Sequence, residues 1–111
     1  MLFYCIQKDT ITMKYSIRQT EEFAVWLKGL RDVQARAAIT RRLDRAANGN
    51  LGDVQTVREG ISEMRVDMGK GYRLYFVTRG RVMIVLLCGG DKKTQRTDIK
   101  RALRLAQEYQ L

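Results

Sequence analysis

The stretch SEMRVDM at Ser62–Met68, then GKG at Gly69–Gly71, then YRLYFVT at Tyr72–Thr78, decides the fold. Met64, Val66 and Met68 alternate with Glu63, Arg65 and Asp67; Tyr72, Leu74 and Phe76 alternate with Arg73, Tyr75 and Val77. Successive strand residues point to opposite faces, so each segment is a strand with one apolar face, and the glycine-flanked lysine between them is a turn. Beyond a second turn at Arg79-Gly80, Arg81–Cys88 is a nearly continuous apolar run, the pattern of a central strand covered on both faces. A further strand precedes the hairpin at Asp53–Arg58. Together these segments predict an antiparallel meander.

Upstream the period lengthens. Thr20 caps a helix with Glu21 and Glu22 in its first turn, where the dipole favours acids, and Phe23, Trp26, Leu27 and Leu30 fall on one helical face. Asp32 caps a second helix with the stripe Ala35, Ile39, Leu43 and Ala46, stopped at Asn48-Gly49. Lys14–Arg18 is a short strand before them. Downstream, Gly89-Gly90-Asp91 breaks the apolar run, and a last helix runs from near Thr94 to about Tyr109 with Ile99, Ala102, Leu103 and Ala106 as its stripe. The order β-α-α-β-β-β-β-α predicts an α+β fold: two N-terminal antiparallel helices and a C-terminal helix packed on an antiparallel sheet. The expected domain occupies residues 14–111. Residues 1–13 are expected to be an N-terminal extension, with Met13 an alternative start.

The chain has 111 residues, one domain's length, and 21 Lys and Arg against 12 Asp and Glu, a net charge of +9. Such an excess calls for a polyanionic partner. Residues 61–111 hold 11 basic and 5 acidic side chains (11 − 5 = +6), so the second half carries most of it. No apolar run approaches the roughly 18 residues of a membrane span, and Met1–Ile6 lacks the basic flank and cleavage site of a signal peptide. A cytoplasmic location without membrane contact is expected. Two isolated cysteines, Cys5 and Cys88, make neither a disulfide framework nor a zinc site, and histidine is absent, which removes the commonest general base and metal ligand. No metal or other cofactor is expected.

Two features carry candidate chemistry. In the hairpin, Arg65 and Arg73 share the face opposite the apolar residues, and a pairing about Gly69 sets them across from one another. Two guanidiniums side by side repel unless an anion lies between them, and the arginine fork matches phosphate oxygens two at a time. The alternative is a solvated pair with Glu63 or Asp67 as partner. Tyr75, on the same face, either stacks on a base or covers the sheet. The second feature is Gly89–Arg96 (GGDKKTQR), where glycines leave a strand and open a helix, letting backbone amides approach a phosphate. Lys92, Lys93 and Arg96 sit at the positive end of that dipole, unfavourable unless an anion binds. The alternative is a plain strand–helix junction. Arg36, Arg41, Arg42 and Arg45 read as the solvated face of the second helix, and Trp26 as core.

The segments Glu63–Arg65, Gly71–Phe76, Val85–Gln95 and Asp98–Ala102, with Thr20–Phe23 and Trp26-Leu27, resemble the RelE/ParE superfamily, and within it the HigB-type addiction module killer branch, over roughly residues 14–109. The resemblance implies the toxin of a type II toxin–antitoxin system, a ribosome-dependent mRNA endonuclease that inhibits translation, silenced by a cognate helix-turn-helix antitoxin. It implies Arg73, Arg65 and Lys93, or Lys92, as catalytic residues. Lys92, Arg96, Tyr75 and Lys70 are the expected RNA contacts. The tyrosine that some members carry near the C-terminus has no clear counterpart, Ile99 being nearest, and their histidines have none, so the general acid and base stay unassigned. A ParE-like inhibitor of DNA gyrase and a non-toxic basic nucleic-acid-binding module are the competing readings.

Overall fold

The computed structural model describes residues 14–80 and 83–111. The expected extension over residues 1–13, with Cys5, and the first two residues of the apolar run, Arg81 and Val82, lie outside the described residues.

The chain forms β1 (Ser16–Gln19), α1 (Glu21–Gly29), α2 (Val33–Ala47), β2 (Val54–Arg58), β3 (Ile61–Val66), β4 (Tyr72–Arg79), β5 (Met83–Gly90), a 3-10 turn (Lys92–Thr94) and α3 (Gln95–Glu108). Both predicted N-caps form. Thr20 Oγ1 accepts the Phe23 amide at 3.1 Å, and Asp32 Oδ1 accepts that of Ala35 at 3.0 Å. Each satisfies an amide the first helical turn leaves free. Gly69 and Gly71 both take positive φ, 57° and 75°, so the turn around Lys70 needs residues without a Cβ.

The sheet is ordered β1-β5-β4-β3-β2. The four strands joined by short turns are antiparallel, with Arg65 opposite Arg73 and Glu63 opposite Tyr75. The first strand departs from the expected all-antiparallel sheet: β1 runs parallel to β5, Ser16 opposite Met83 through Gln19 opposite Leu86. Tight turns force antiparallel pairing, but two helices and three strands separate β1 from β5, so nothing local fixes its direction. Thr20 sets the junction, its amide donating to the Leu86 carbonyl at 3.0 Å and its hydroxyl to that of Leu87 at 2.6 Å. Leu87 is the extra residue of a bulge, since Tyr75 faces Cys88 while Phe76 faces Leu86.

Helices cover both faces. On one, Phe23 of α1 and Ala35, Ala38 and Ile39 of α2 pack on Met64, Leu74, Phe76, Ile84 and Leu86. On the other, Ala102, Leu105 and Ala106 of α3 pack on Ile61, Tyr75, Val77, Leu87 and Cys88. The double coverage explains why β5 is apolar along its length. One arginine of α2 is not part of a solvated face. Arg42 donates to the carbonyls of Arg65 at 2.5 Å, Leu51 at 3.2 Å and Asp53 at 3.5 Å, tying the helix to the start of the meander. Burial, then its neighbour Arg45, holds its pKa below the usual value. Among the described residues no helix is long and apolar enough to cross a membrane.

Candidate active site, an arginine cleft at the end of the sheet

Strand alternation puts Glu63, Arg65, Arg73 and Tyr75 on the face that α3 shares. Like charges directly opposite on neighbouring strands repel, and Arg65 and Arg73 are such a pair. Glu63 resolves the conflict. Its carboxylate is fully buried, accepts the Arg65 Nε at 2.7 Å, and lies 3.6 Å from the Arg73 Nε. Gln95, at the start of α3, donates to its other oxygen at 3.2 Å. The bond to Glu63 raises the pKa of Arg65 further. A carboxylate is buried at tolerable cost only when paired and hydrogen-bonded, and this one has all three partners.

Each guanidinium is anchored along one edge. Arg65 Nη2 donates to Gln55 Oε1 at 2.8 Å, and Arg73 Nη1 to the Gly71 carbonyl at 3.1 Å. Arg65 Nη1 and Arg73 Nη2 form no hydrogen bond among the described residues, and the buried Arg73 Nε has none either. Both arginines line a cleft of about 280 Å³, whose wall includes Asp53 and Asp67 and is completed by Lys92. Lys92 is brought there because its amide reaches the Lys70 carbonyl at 3.4 Å. The cleft therefore presents fixed N–H donors from two strands and an ammonium from the strand–helix junction, a donor set suited to a phosphodiester.

The structure sorts the expected residues. It gathers Arg65, Arg73 and Lys92. Lys93 and Arg96 are exposed and do not line the cleft. Lys70 stands on the turn and does not line this cleft. Tyr75 is fully buried, so its ring offers no face to a base, and its hydroxyl is without a hydrogen-bond partner. Burial, then Glu63 and Asp98, pushes its pKa well up. The anion cradle expected at Gly89–Arg96 is already occupied. Asp91 Oδ1 accepts the amides of Lys93 at 2.9 Å and Thr94 at 3.2 Å, so the protein supplies its own anion. The two glycines answer to packing: a Cβ at Gly89 would stand 2.3 Å from the Trp26 ring, and one at Gly90 1.8 Å from an Asp98 oxygen. Glu63 and Gln95 are the members that sequence reading did not place in the site. The available signal was an acid two residues from one arginine on the same strand face.

Among the described residues no group of three or more His, Cys, Asp or Glu side chains is placed to hold a metal ion.

The chain matches the family model of Gp49-like phage-derived proteins over residues 25–110. An uncharacterized protein of Haemophilus influenzae is 46% identical over 99 residues, covering 89% of this chain and 100% of that protein. Two solved structures are similar in fold. The toxin–antitoxin complex RelBE2 from Mycobacterium tuberculosis matches with a TM-score of 0.58 at 20% identity, over 72% of this chain and 100% of that one. A mutant of the E. coli toxin RelE in the free state matches with a TM-score of 0.65 at 15% identity, over 83% and 98%. At those identities the likeness is one of fold.

Proposed function

The chain belongs to the Gp49-like family of phage-derived proteins, and on that premise we propose that it is the toxin of a type II toxin–antitoxin pair, of the HigB type, which cleaves messenger RNA on the ribosome without a metal ion. The observation that carries the reading is the opposed pair Arg65 and Arg73, held over buried Glu63 with one edge of each fork open to a cleft that Lys92 completes. The RelE-like fold supports it, since one similar structure is named as a toxin and another as a toxin–antitoxin complex.

In the proposed reaction the RNA 2′-hydroxyl attacks the adjacent phosphorus and the bond to the 5′ oxygen breaks. The products are a 2′,3′-cyclic phosphate and a free 5′-hydroxyl. The proton lost by the 2′-hydroxyl passes to solvent, and one returns to the leaving oxygen. Arg65 and Arg73 take the non-bridging oxygens, whose charge grows in the transition state. Lys92, rather than Lys93, holds a proton beside the leaving oxygen. Glu63 acts through the two arginines and is a positioning residue. The ribosome aligns the message, which lowers the barrier by removing orientational freedom. An antitoxin with a helix-turn-helix domain is the proposed silencing partner.

Primer extension on translated mRNA tests this. The wild-type protein is expected to cut, and Arg73→Ala to cut at least about 100-fold more slowly, the scale of losing one transition-state donor, while remaining folded. Full cleavage by Arg73→Ala, or no cleavage alongside inhibition of gyrase supercoiling, overturns the proposal.

A further inference from the structure

A second, larger cavity of about 700 Å³ lies behind the Gly69–Gly71 turn, and the reaction proposed above gives it no role. Its wall includes the rings of Trp26 and Tyr72, with centroids 6.3 Å apart and planes at 61°. Trp26 is only partly buried and is set in place by close approach to the bare backbone of Gly89. The indole is thereby a fixed surface, one edge of a pocket of the size that holds small ligands. The charges differ from those of the arginine cleft. Arg31, Lys70 and Arg101 are matched by Asp32, Asp91 and Asp98, three against three. Such a lining does not select a phosphate.

Asp32 supplies the polar recognition. Its Oδ1 is used by the cap of α2, while its Oδ2 faces Gly69, 3.0 Å from where a Cβ would stand there, and accepts no hydrogen bond among the described residues. A carboxylate oxygen beside an aromatic wall suits a flat ring carrying N–H donors. The two cavities are also neighbours. Tyr72 lines both, Lys70 and Gly71 stand on successive positions of the turn between them, and Asp91 and Lys92 divide in the same way on the facing junction.

We infer that this cavity is a nucleobase subsite, taking one base of the same single-stranded RNA whose phosphate the arginine cleft holds; the inference rests on the proposed ribonuclease reading. Lys70 spans the backbone between the two. The base lies against Trp26 and Tyr72 and donates a hydrogen bond to Asp32.

Trp26 is the only tryptophan of the chain, so its fluorescence reports on this cavity alone. The full-length protein is titrated with a short single-stranded RNA made uncleavable by a 2′-deoxy sugar at the reacting position, and with the same RNA lacking the bases that flank that position. The intact RNA is expected to quench Trp26, and the abasic RNA to bind roughly 5- to 150-fold more weakly, the range for losing one stacked base. Arg73→Ala weakens both RNAs and keeps their ratio. Asp32→Asn keeps the helix cap, because asparagine caps as well as aspartate, and replaces the free acceptor with a donor. It is expected to change the preference among the four bases at the flanking position while binding abasic RNA like wild type. Equal affinity for intact and abasic RNA, or an unresponsive Trp26 in a protein that still cuts translated mRNA, overturns the subsite and leaves the nuclease standing. Absence of both binding and cleavage overturns both.

Discussion

The hairpin of β3 and β4 has two faces built from alternate residues of the same two strands, and they meet opposite demands. Towards α1 and α2 it turns Met64, Val66, Tyr72, Leu74 and Phe76, all buried against further apolar side chains. Towards α3 it turns Ile61, Val77 and Tyr75, but also Glu63, Arg65 and Arg73. One helix covers that second face where two cover the first, and the uncovered end holds an ion cluster and a cleft in place of core. Neighbouring residues in sequence therefore serve separate ends: odd positions near the turn hold chemistry, even positions hold the sheet.

Substitution at adjacent positions puts this division to its hardest test. Leu74→Ala removes a fully buried side chain and is expected to cost about 2–5 kcal/mol of stability in urea unfolding. Arg73→Ala, one residue away, is expected to cost less than half as much, because Glu63 keeps Arg65 and Gln95. If the two substitutions destabilise equally, the charged face is as structural as the apolar one and the division fails. A smaller effect sharpens the role of Glu63. Glu63→Gln keeps the shape and removes the charge between two guanidiniums, and is expected to cost about 1–3 kcal/mol, the range for an unmet buried polar group. Cleavage is expected to fall too, although Glu63 meets no substrate, because the freed repulsion between the arginines moves them from their places in the cleft. The smallest effect is alkaline. Burial pushes the Cys88 thiol up to about 12, from an ordinary 9.0, and raises Tyr75 on the same face. The folded chain then holds these protons more tightly than the unfolded one. Stability from this source is complete below about pH 9 and is lost as pH climbs through the folded values. Thermal unfolding followed from pH 8 to 11 is expected to show that decline, and Cys88→Ala to reduce it.

The alternation that made the hairpin readable is also what hid its centre. Met64 and Leu74 announced a core face because period two is a strong local signal. Glu63 fell on the other face and read as solvated, or as a partner for one arginine, because sequence carries no trace of Gln95 arriving from 32 residues away. The helix stripes and both N-caps were legible for the same local reason. The partner of β1 was not: four residues, only one of them Ile17, do not specify which edge they join or in which direction. Lys92 and Lys93 are adjacent, and only the packing of the junction on the Lys70 turn tells them apart. Trp26 read as core from its helical face and is both packed on Gly89 and open to a cavity, a double role that periodicity does not distinguish.

The pairing of β1 with β5 has a consequence for the order of assembly. Among the described residues the first strand to leave a ribosome has its only sheet neighbour in the last strand to leave it. Contacts so distant along a chain carry a large loop-closure cost and slow folding. During synthesis α1 and α2 emerge before the surface they cover exists, so the finished sheet, and the arginine pair on it, assemble only after β5 has left the ribosome.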